Sequence, residues 1–129
     1  MEVLAHDKYL SDYSDQWVKQ CSLEEIQQKA EIISLHVPYT SETHHLISDT
    51  FIQSCKRDFY LINTSRGKCV NTVDLVKNLQ KGKVKGACLD VLEFESISFE
   101  KLSEGEFPEA FDYLRTSKNT ILSPHIAGW

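Results

Sequence analysis

Residues 59–91, FYLINTSRGKCVNTVDLVKNLQKGKVKGACLDV, carry the pattern that decides the fold. The run at residues 59–62 is almost continuously apolar, which is typical of a strand covered on both faces in a parallel sheet. Asn71 then begins a helix whose apolar residues recur at helical spacing, and Gly82 ends it. Residues 84–91 form the next predicted strand. A strand, a helix and a strand in this order predict parallel pairing through a right-handed crossover.

The same alternation continues on both sides of this unit. We predict further strands at residues 3–5, 31–37 and 120–123, and helices at 22–30 and 48–55. Ser22 and Glu25 have the spacing of a capping box. Residues 96–117 read as a long irregular segment whose aromatic side chains predict that it packs. The fold class is therefore α/β, with a parallel sheet, helices on both sides and a ligand crevice at the carboxyl ends of the strands.

The composition excludes several classes of protein. The chain has 129 residues, of which 41% are hydrophobic and 26% charged, as expected for one globular domain rather than a disordered chain. The net charge of −5 argues against nucleic acid or an anionic membrane as the main partner. No apolar run is long enough for a membrane span, and residues 1–7 do not read as a signal peptide.

The cysteines and histidines predict no metal site. The four cysteines form no CxxC pair, which favours reduced, scattered thiols in a cytoplasmic protein. The histidines at 36, 44 and 45 match no standard spacing of metal ligands.

Four residues at predicted strand ends could carry chemistry. Asp7 could accept hydrogen bonds from ribose hydroxyls and repel a 2′-phosphate, which favours NAD over NADP. Arg66 could bind a substrate carboxylate in a bidentate fork. His125 could exchange a proton near neutral pH, and Asp90 stands at the end of the strand before it. Each residue also has a structural alternative. Asp7 could lie in a solvated turn, Arg66 in an exposed turn and Asp90 on an acidic surface, and His125 could be packed between apolar neighbours.

Four segments together resemble the D-isomer-specific 2-hydroxyacid dehydrogenases, a family that includes D-lactate and D-3-phosphoglycerate dehydrogenases. They are LHVPYTSET (35–43), INTSRG (62–67), GACLDV (86–91) and SPHIAG (123–128). Each segment is weak alone, but the four occur in the family's order. The resemblance implies a three-layer, doubly wound, Rossmann-like sheet that binds NAD.

The resemblance also implies a role for each matching residue. Arg66 would bind the carboxylate of a 2-hydroxy or 2-oxo acid, and His125 would protonate the carbonyl oxygen during reduction. Glu95, 29 residues after Arg66, would pair with His125. The residues implied to contact NAD are Asp7, Val37, Pro38, Thr64, Ser65, Arg66, Asp90 and His125.

The chain departs from the family in lacking a G-x-G-x-x-G loop. We therefore expect residues 1–129 to be a partial NAD-binding domain, without the first strand, the glycine-rich loop and the substrate domain. The parent protein would be an NAD-dependent, homodimeric D-2-hydroxyacid dehydrogenase, and the isolated chain would be inactive because the pyrophosphate loses its helix N-terminus. Two alternatives stay open: an NAD-sensing module of the corepressor type, and a fragment with no catalytic role.

Overall fold

The computed structural model describes residues 1–94 and 109–127. Its strands and helices alternate along most of the chain. In chain order they are β1 (Val3–Ala5), β2 (Val18–Gln20), α1 (Leu23–Lys29), β3 (Ile32–Leu35), α2 (Asp49–Ser54), β4 (Phe59–Asn63), a short 3-10 turn (Gly67–Cys69), α3 (Thr72–Gln80), β5 (Val84–Leu89), α4 (Glu109–Thr116) and β6 (Thr120–Leu122).

Among the described residues all strand pairs are parallel, and they form two sheets. Strands β3, β4, β5 and β6 lie side by side in that order, and β1 pairs with β2 in a separate ribbon. In the larger sheet Ile33, Leu61, Ala87 and Thr120 stand in one row across the four strands. Because neighbours in the sheet are also neighbours in the chain, right-handed crossovers place α2, α3 and α4 on the same face.

The core lies between that sheet face and those helices. Ile33, Phe59 and Leu61 point inward at alternate strand positions and are buried together with Leu75 and Leu79 of α3. This is the two-residue period of a strand meeting the 3.6-residue period of a helix. The opposite face leaves large side chains half or more exposed, namely those of Ile32, Tyr60 and Ile121.

Local signals explain where the helices begin and end. The Ser22 hydroxyl accepts a hydrogen bond from the Glu25 amide at 3.1 Å, as the capping box predicts, and α1 ends at Lys29. Asn71 caps α3 in the same way through the Asp74 amide. Ser48 precedes α2 without a side-chain cap. Gly82 follows α3 with φ of 76°, the left-handed conformation that glycine adopts without strain.

The structure corrects the sequence analysis in two places. Strand β2 was not predicted, because only Val18 of its three residues is apolar and its pairing with β1 supplies the stability. Residues 109–116 form helix α4 where we expected irregular chain. Ala110, Tyr113 and Leu114 have helical spacing and pack on the core. Residues 96–108 of that segment lie outside the described residues.

Within residues 1–94 and 109–127, no helix has the length and apolar character needed to cross a bilayer.

Candidate active site

Backbone hydrogen bonds carry the ladder of the sheet beyond the carboxyl ends of β4, β5 and β6. The Asp90 amide donates to the Asn63 carbonyl at 3.0 Å, and the His125 amide donates to the Asp90 carbonyl at 2.9 Å. Backbone hydrogen bonds therefore join the loops that follow these three neighbouring strands. Adjacent strands are about 4.8 Å apart, so the loops bearing Arg66 and His125 start about 10 Å from each other.

The Asp90 carboxylate organises the loop that carries His125. One oxygen accepts hydrogen bonds from Ser123 Oγ at 2.5 Å and from the Ile126 amide at 3.0 Å, and the other accepts from the Ala127 amide at 2.9 Å. Asp90 is only 4% exposed. The hydrogen bond from Ser123, followed by those from the two amides, lowers the pKa of Asp90. Its carboxylate thus stays ionised and fixes the turn in which His125 has a φ of 56°.

The buried side chain of Asn63 shapes the loop that carries Arg66. Its Nδ2 donates to the Arg66 carbonyl at 3.1 Å, and its Oδ1 accepts from the amide and the hydroxyl of Ser65 at 3.1 and 2.9 Å. Arg66 is exposed, and one of its guanidinium nitrogens donates to the Ser65 carbonyl at 2.7 Å. Thr64, which lies between Asn63 and Ser65 in the chain, is half-buried. The loop is therefore built around Asn63, with the guanidinium near its surface.

Gly67 packs directly under the segment that follows β5. A Cβ at this position would lie 2.0 Å from the Leu92 carbonyl oxygen, so only glycine allows this approach. The contact therefore fixes how far Gly67, which follows Arg66, lies from the segment that leads to Glu95.

A contact between a histidine and a carboxylate, which the sequence analysis did not find, fastens the same segment. Glu93 Oε1 lies 2.5 Å from His45 Nε2, and Glu93 Oε2 accepts from the Thr72 amide at 2.9 Å. Burial favours the neutral acid, but the hydrogen bonds from Thr72 and His45 keep the pKa of Glu93 below its ordinary value. The pair joins the loop after β3, the start of α3 and the loop after β5.

Asp7 lies in an exposed turn beyond β1. Its Oδ1 accepts hydrogen bonds from the amides of Tyr9 and Leu10 at 2.7 and 3.0 Å, which lower the pKa of Asp7. Its own amide donates to the Tyr13 hydroxyl at 2.8 Å. Among the described residues, none donates a hydrogen bond to Oδ2. An ionised carboxylate with one available oxygen fits the two hydroxyls of a ribose.

The loop after β3 begins at His36 and continues with Val37 and Pro38. Val37 packs against the core, and the Pro38 carbonyl accepts a hydrogen bond from Thr43 Oγ1 at 2.6 Å. Further bonds between Thr40 and Thr43 close the loop. This loop follows β3, an edge strand that pairs with β4 on one side. The Asp7 turn follows β1, which pairs with β2 on one side.

Residues 1–127 match the family model described as "D-isomer specific 2-hydroxyacid dehydrogenase, NAD binding domain". The chain belongs to this family. Because the match is to its NAD-binding domain, NAD is confirmed as the cofactor of the domain.

The chain is also similar to individual members of the family, in sequence and in structure. The chain is 36% identical to the D-lactate dehydrogenase of Treponema pallidum over 129 residues, which is 98% of this chain and 39% of that protein. It superposes with a TM-score of 0.85 on the Aquifex aeolicus D-lactate dehydrogenase solved with NAD and lactic acid, at 39% identity, covering 98% of this chain and 39% of that one. The NAD complex of a Lactobacillus delbrueckii ssp. bulgaricus D-isomer specific 2-hydroxyacid dehydrogenase also superposes with a TM-score of 0.85, at 32% identity, covering 96% and 38%.

The similarity confirms the predicted Rossmann-like α/β fold of a dehydrogenase NAD-binding domain. The chain spans about two fifths of the length of these relatives. The structure brings the loops of Arg66, Asp90 and His125 together at one sheet edge, and it places Asp7, Val37 and Pro38 at the ends of β1 and β3. Glu95 lies outside the described residues, and its role stays a prediction, as do the roles of the other site residues.

Proposed function

We propose that the protein carrying this chain reduces a 2-oxo acid to a D-2-hydroxy acid with NADH, and catalyses the reverse reaction with NAD. The observation that supports this most directly is the hydrogen-bonded network running from the Arg66 loop through Asn63 and Asp90 to the His125 loop. It joins an exposed guanidinium and an imidazole at one edge of a domain whose family binds NAD.

The proposed division of labour follows from the chemistry of the side chains. NADH, when bound, supplies the hydride that reduces the carbonyl carbon. Arg66 binds the substrate carboxylate through two parallel hydrogen bonds and so orients the carbonyl. His125 donates a proton to the carbonyl oxygen, and Glu95 holds its ring in position.

The residues proposed to hold the cofactor are those at the strand ends. Asp7 accepts hydrogen bonds from the ribose, and Val37, Pro38, Thr64 and Ser65 line the groove. Asp90 would act mainly through the His125 loop, because both of its oxygens already accept hydrogen bonds there. Since Ser65 Oγ already donates to Asn63, Ser65 would contact the cofactor through its backbone and its packing.

We also propose that the substrate domain and a glycine-rich phosphate loop lie elsewhere in the parent protein, which we expect to be a cytoplasmic homodimer. The sequence of 129 residues contains no G-x-G-x-x-G. The isolated chain should therefore bind NAD weakly and show no measurable dehydrogenase activity.

The test uses the protein at its full natural length and a panel of 2-oxo acids, with NADH oxidation as the readout. We expect Arg66→Lys to lower kcat/KM about 100-fold, since one electrostatic donor is typically worth about 3 kcal/mol. The matched control is Arg57→Lys, which alters an exposed arginine paired with Glu31 before β3, at the amino end of the sheet. His125→Ala should lower kcat similarly.

Turnover that persists in both Arg66→Lys and His125→Ala would remove the catalytic assignment. NADH binding without reduction of any 2-oxo acid would instead favour the NAD-sensing alternative.

A further inference from the structure

Glu42 bridges two loops beside the proposed ribose site, the Asp7 turn after β1 and the loop after β3. Its Oε1 lies 2.5 Å from Lys8 Nζ, and its Oε2 accepts from the Tyr9 hydroxyl at 2.5 Å. Lys8 Nζ also lies 5.7 Å from the centre of the Tyr9 ring. Both oxygens of Glu42 are thus used to connect the Asp7 turn after β1 with the loop after β3.

The position of Lys8 relates this bridge to the choice between NAD and NADP. Lys8 directly follows Asp7, the proposed ribose carboxylate, and it is the only lysine or arginine in residues 6–12. In dinucleotide-binding domains, an acidic residue at this strand end selects NAD, whereas a nearby cation accommodates the 2′-phosphate of NADP. The chain therefore has an acidic residue of the kind that selects NAD, Asp7, directly before a cation of the kind that accommodates NADP, Lys8.

The charges around Lys8 decide between the two signals. Asp7 uses Oδ1 for the amides of Tyr9 and Leu10, so the partner of the ammonium is Glu42. The hydrogen bond with Glu42 raises the pKa of Lys8, and the same pair lowers the pKa of Glu42. The one lysine or arginine of residues 6–12 is consequently neutralised by a carboxylate from another loop.

We propose that Glu42 is a specificity-determining residue, which preserves the preference for NAD(H) over NADP(H) by neutralising Lys8. This inference rests on the proposed function, because it takes Asp7 as the ribose-binding residue. Without the Glu42 carboxylate, Lys8 becomes available to the 2′-phosphate.

The test measures the dissociation constants of NADH and NADPH by fluorescence titration of the full-length protein, without substrate. In Glu42→Gln we expect the ratio of the NADPH constant to the NADH constant to fall about fivefold, since one charge pair at about 4 Å in water changes binding by this factor. The effect should shrink at high ionic strength. Glu31→Gln, which removes an exposed, arginine-paired carboxylate before β3, should leave the ratio unchanged.

The double variant Lys8→Met with Glu42→Gln identifies the acting group. Its ratio should equal that of Lys8→Met alone, because no cation is left to release. A ratio that falls equally in the presence and absence of Lys8, or does not fall in Glu42→Gln, would overturn the inference while the proposed function stands. A wild-type protein that binds no NADH would overturn the proposed function, and this inference with it.

Discussion

Replacing Gly67 by alanine tests whether the loop after β4 is fixed by its contact with the segment after β5. The added Cβ would lie 2.0 Å from the Leu92 carbonyl oxygen, 2.1 Å from its carbonyl carbon and 2.6 Å from the Glu93 nitrogen. All three are backbone atoms, so no side-chain rotation can relieve the overlap. Overpacking usually costs about 1–3 kcal/mol, and we expect Gly67→Ala to lower the free energy of unfolding by about 3 kcal/mol or more.

Gly82→Ala is the matched control for this change. Apart from its two chain neighbours, no described residue has an atom within 4 Å of a Cβ at position 82, but the residue has a φ of 76°. Alanine in that conformation costs about 1 kcal/mol, which is purely a backbone effect. The predicted gap between the two variants is therefore about 2 kcal/mol.

Urea unfolding of the full-length protein, followed by circular dichroism, measures both variants against wild type. Because Arg66 precedes Gly67, we also expect the folded Gly67→Ala protein to lose kcat/KM, whereas Gly82→Ala should not. If Gly67→Ala is no less stable than Gly82→Ala, the close packing of this loop on Leu92 is refuted.

Three further predictions concern individual polar contacts. Asp90→Asn cannot accept from every donor that now faces it, so hydrogen exchange at the Ala127 amide should accelerate; unchanged exchange would contradict the role of this carboxylate in the loop. The pKa of Asp49 is lowered to about 2 by hydrogen bonds from a lysine and an asparagine of α3. Its stabilising contribution should therefore be present above its ordinary pKa of 3.8 and disappear as the pH falls toward 2, and an NMR titration that gives the ordinary value would disprove this. Ser22→Ala should lower the free energy of unfolding by about 1 kcal/mol, whereas Ser48→Ala, which removes no capping hydrogen bond, should cost clearly less in the same urea experiment; equal losses would contradict the assignment of the cap.

The elements that the sequence predicted are those whose signals are local. The Ser22 capping box, the apolar run at residues 59–62 and the helix that begins after Asn71 each depend on residues within a few positions of one another. Strand β2 has no such signal, since only Val18 of its three residues is apolar and its partner Val3 lies fifteen positions away in the chain. Helix α4 does carry a signal, the spacing of Ala110, Tyr113 and Leu114, although the aromatic residues around it obscured the pattern.

The site was predictable in its location but not in its contacts. Parallel strands place their carboxyl ends at one edge, so Arg66, Asp90 and His125 could be grouped from the order of the strands. The pair of Glu93 with His45 joins residues 48 positions apart, and Glu42 reaches Lys8 across 34 positions. Side chains that meet only through tertiary packing leave no spacing in the sequence from which the pair can be recognised.

The register of the sheet is what makes a precise site possible at its edge. Asn63 pairs with Leu89 and Leu89 with Leu122, so the next backbone hydrogen bonds of the ladder run from the Asp90 amide to the Asn63 carbonyl and from the Ser123 amide to the Leu89 carbonyl. A slip of one residue between β4 and β5 would reverse the faces of every side chain in the strand, exposing Leu89 and turning Asp90 away from its partners. Burial of the apolar residues therefore enforces the register, and the register in turn fixes the polar loops. The free energy that holds the Arg66 and His125 loops in place comes largely from the core.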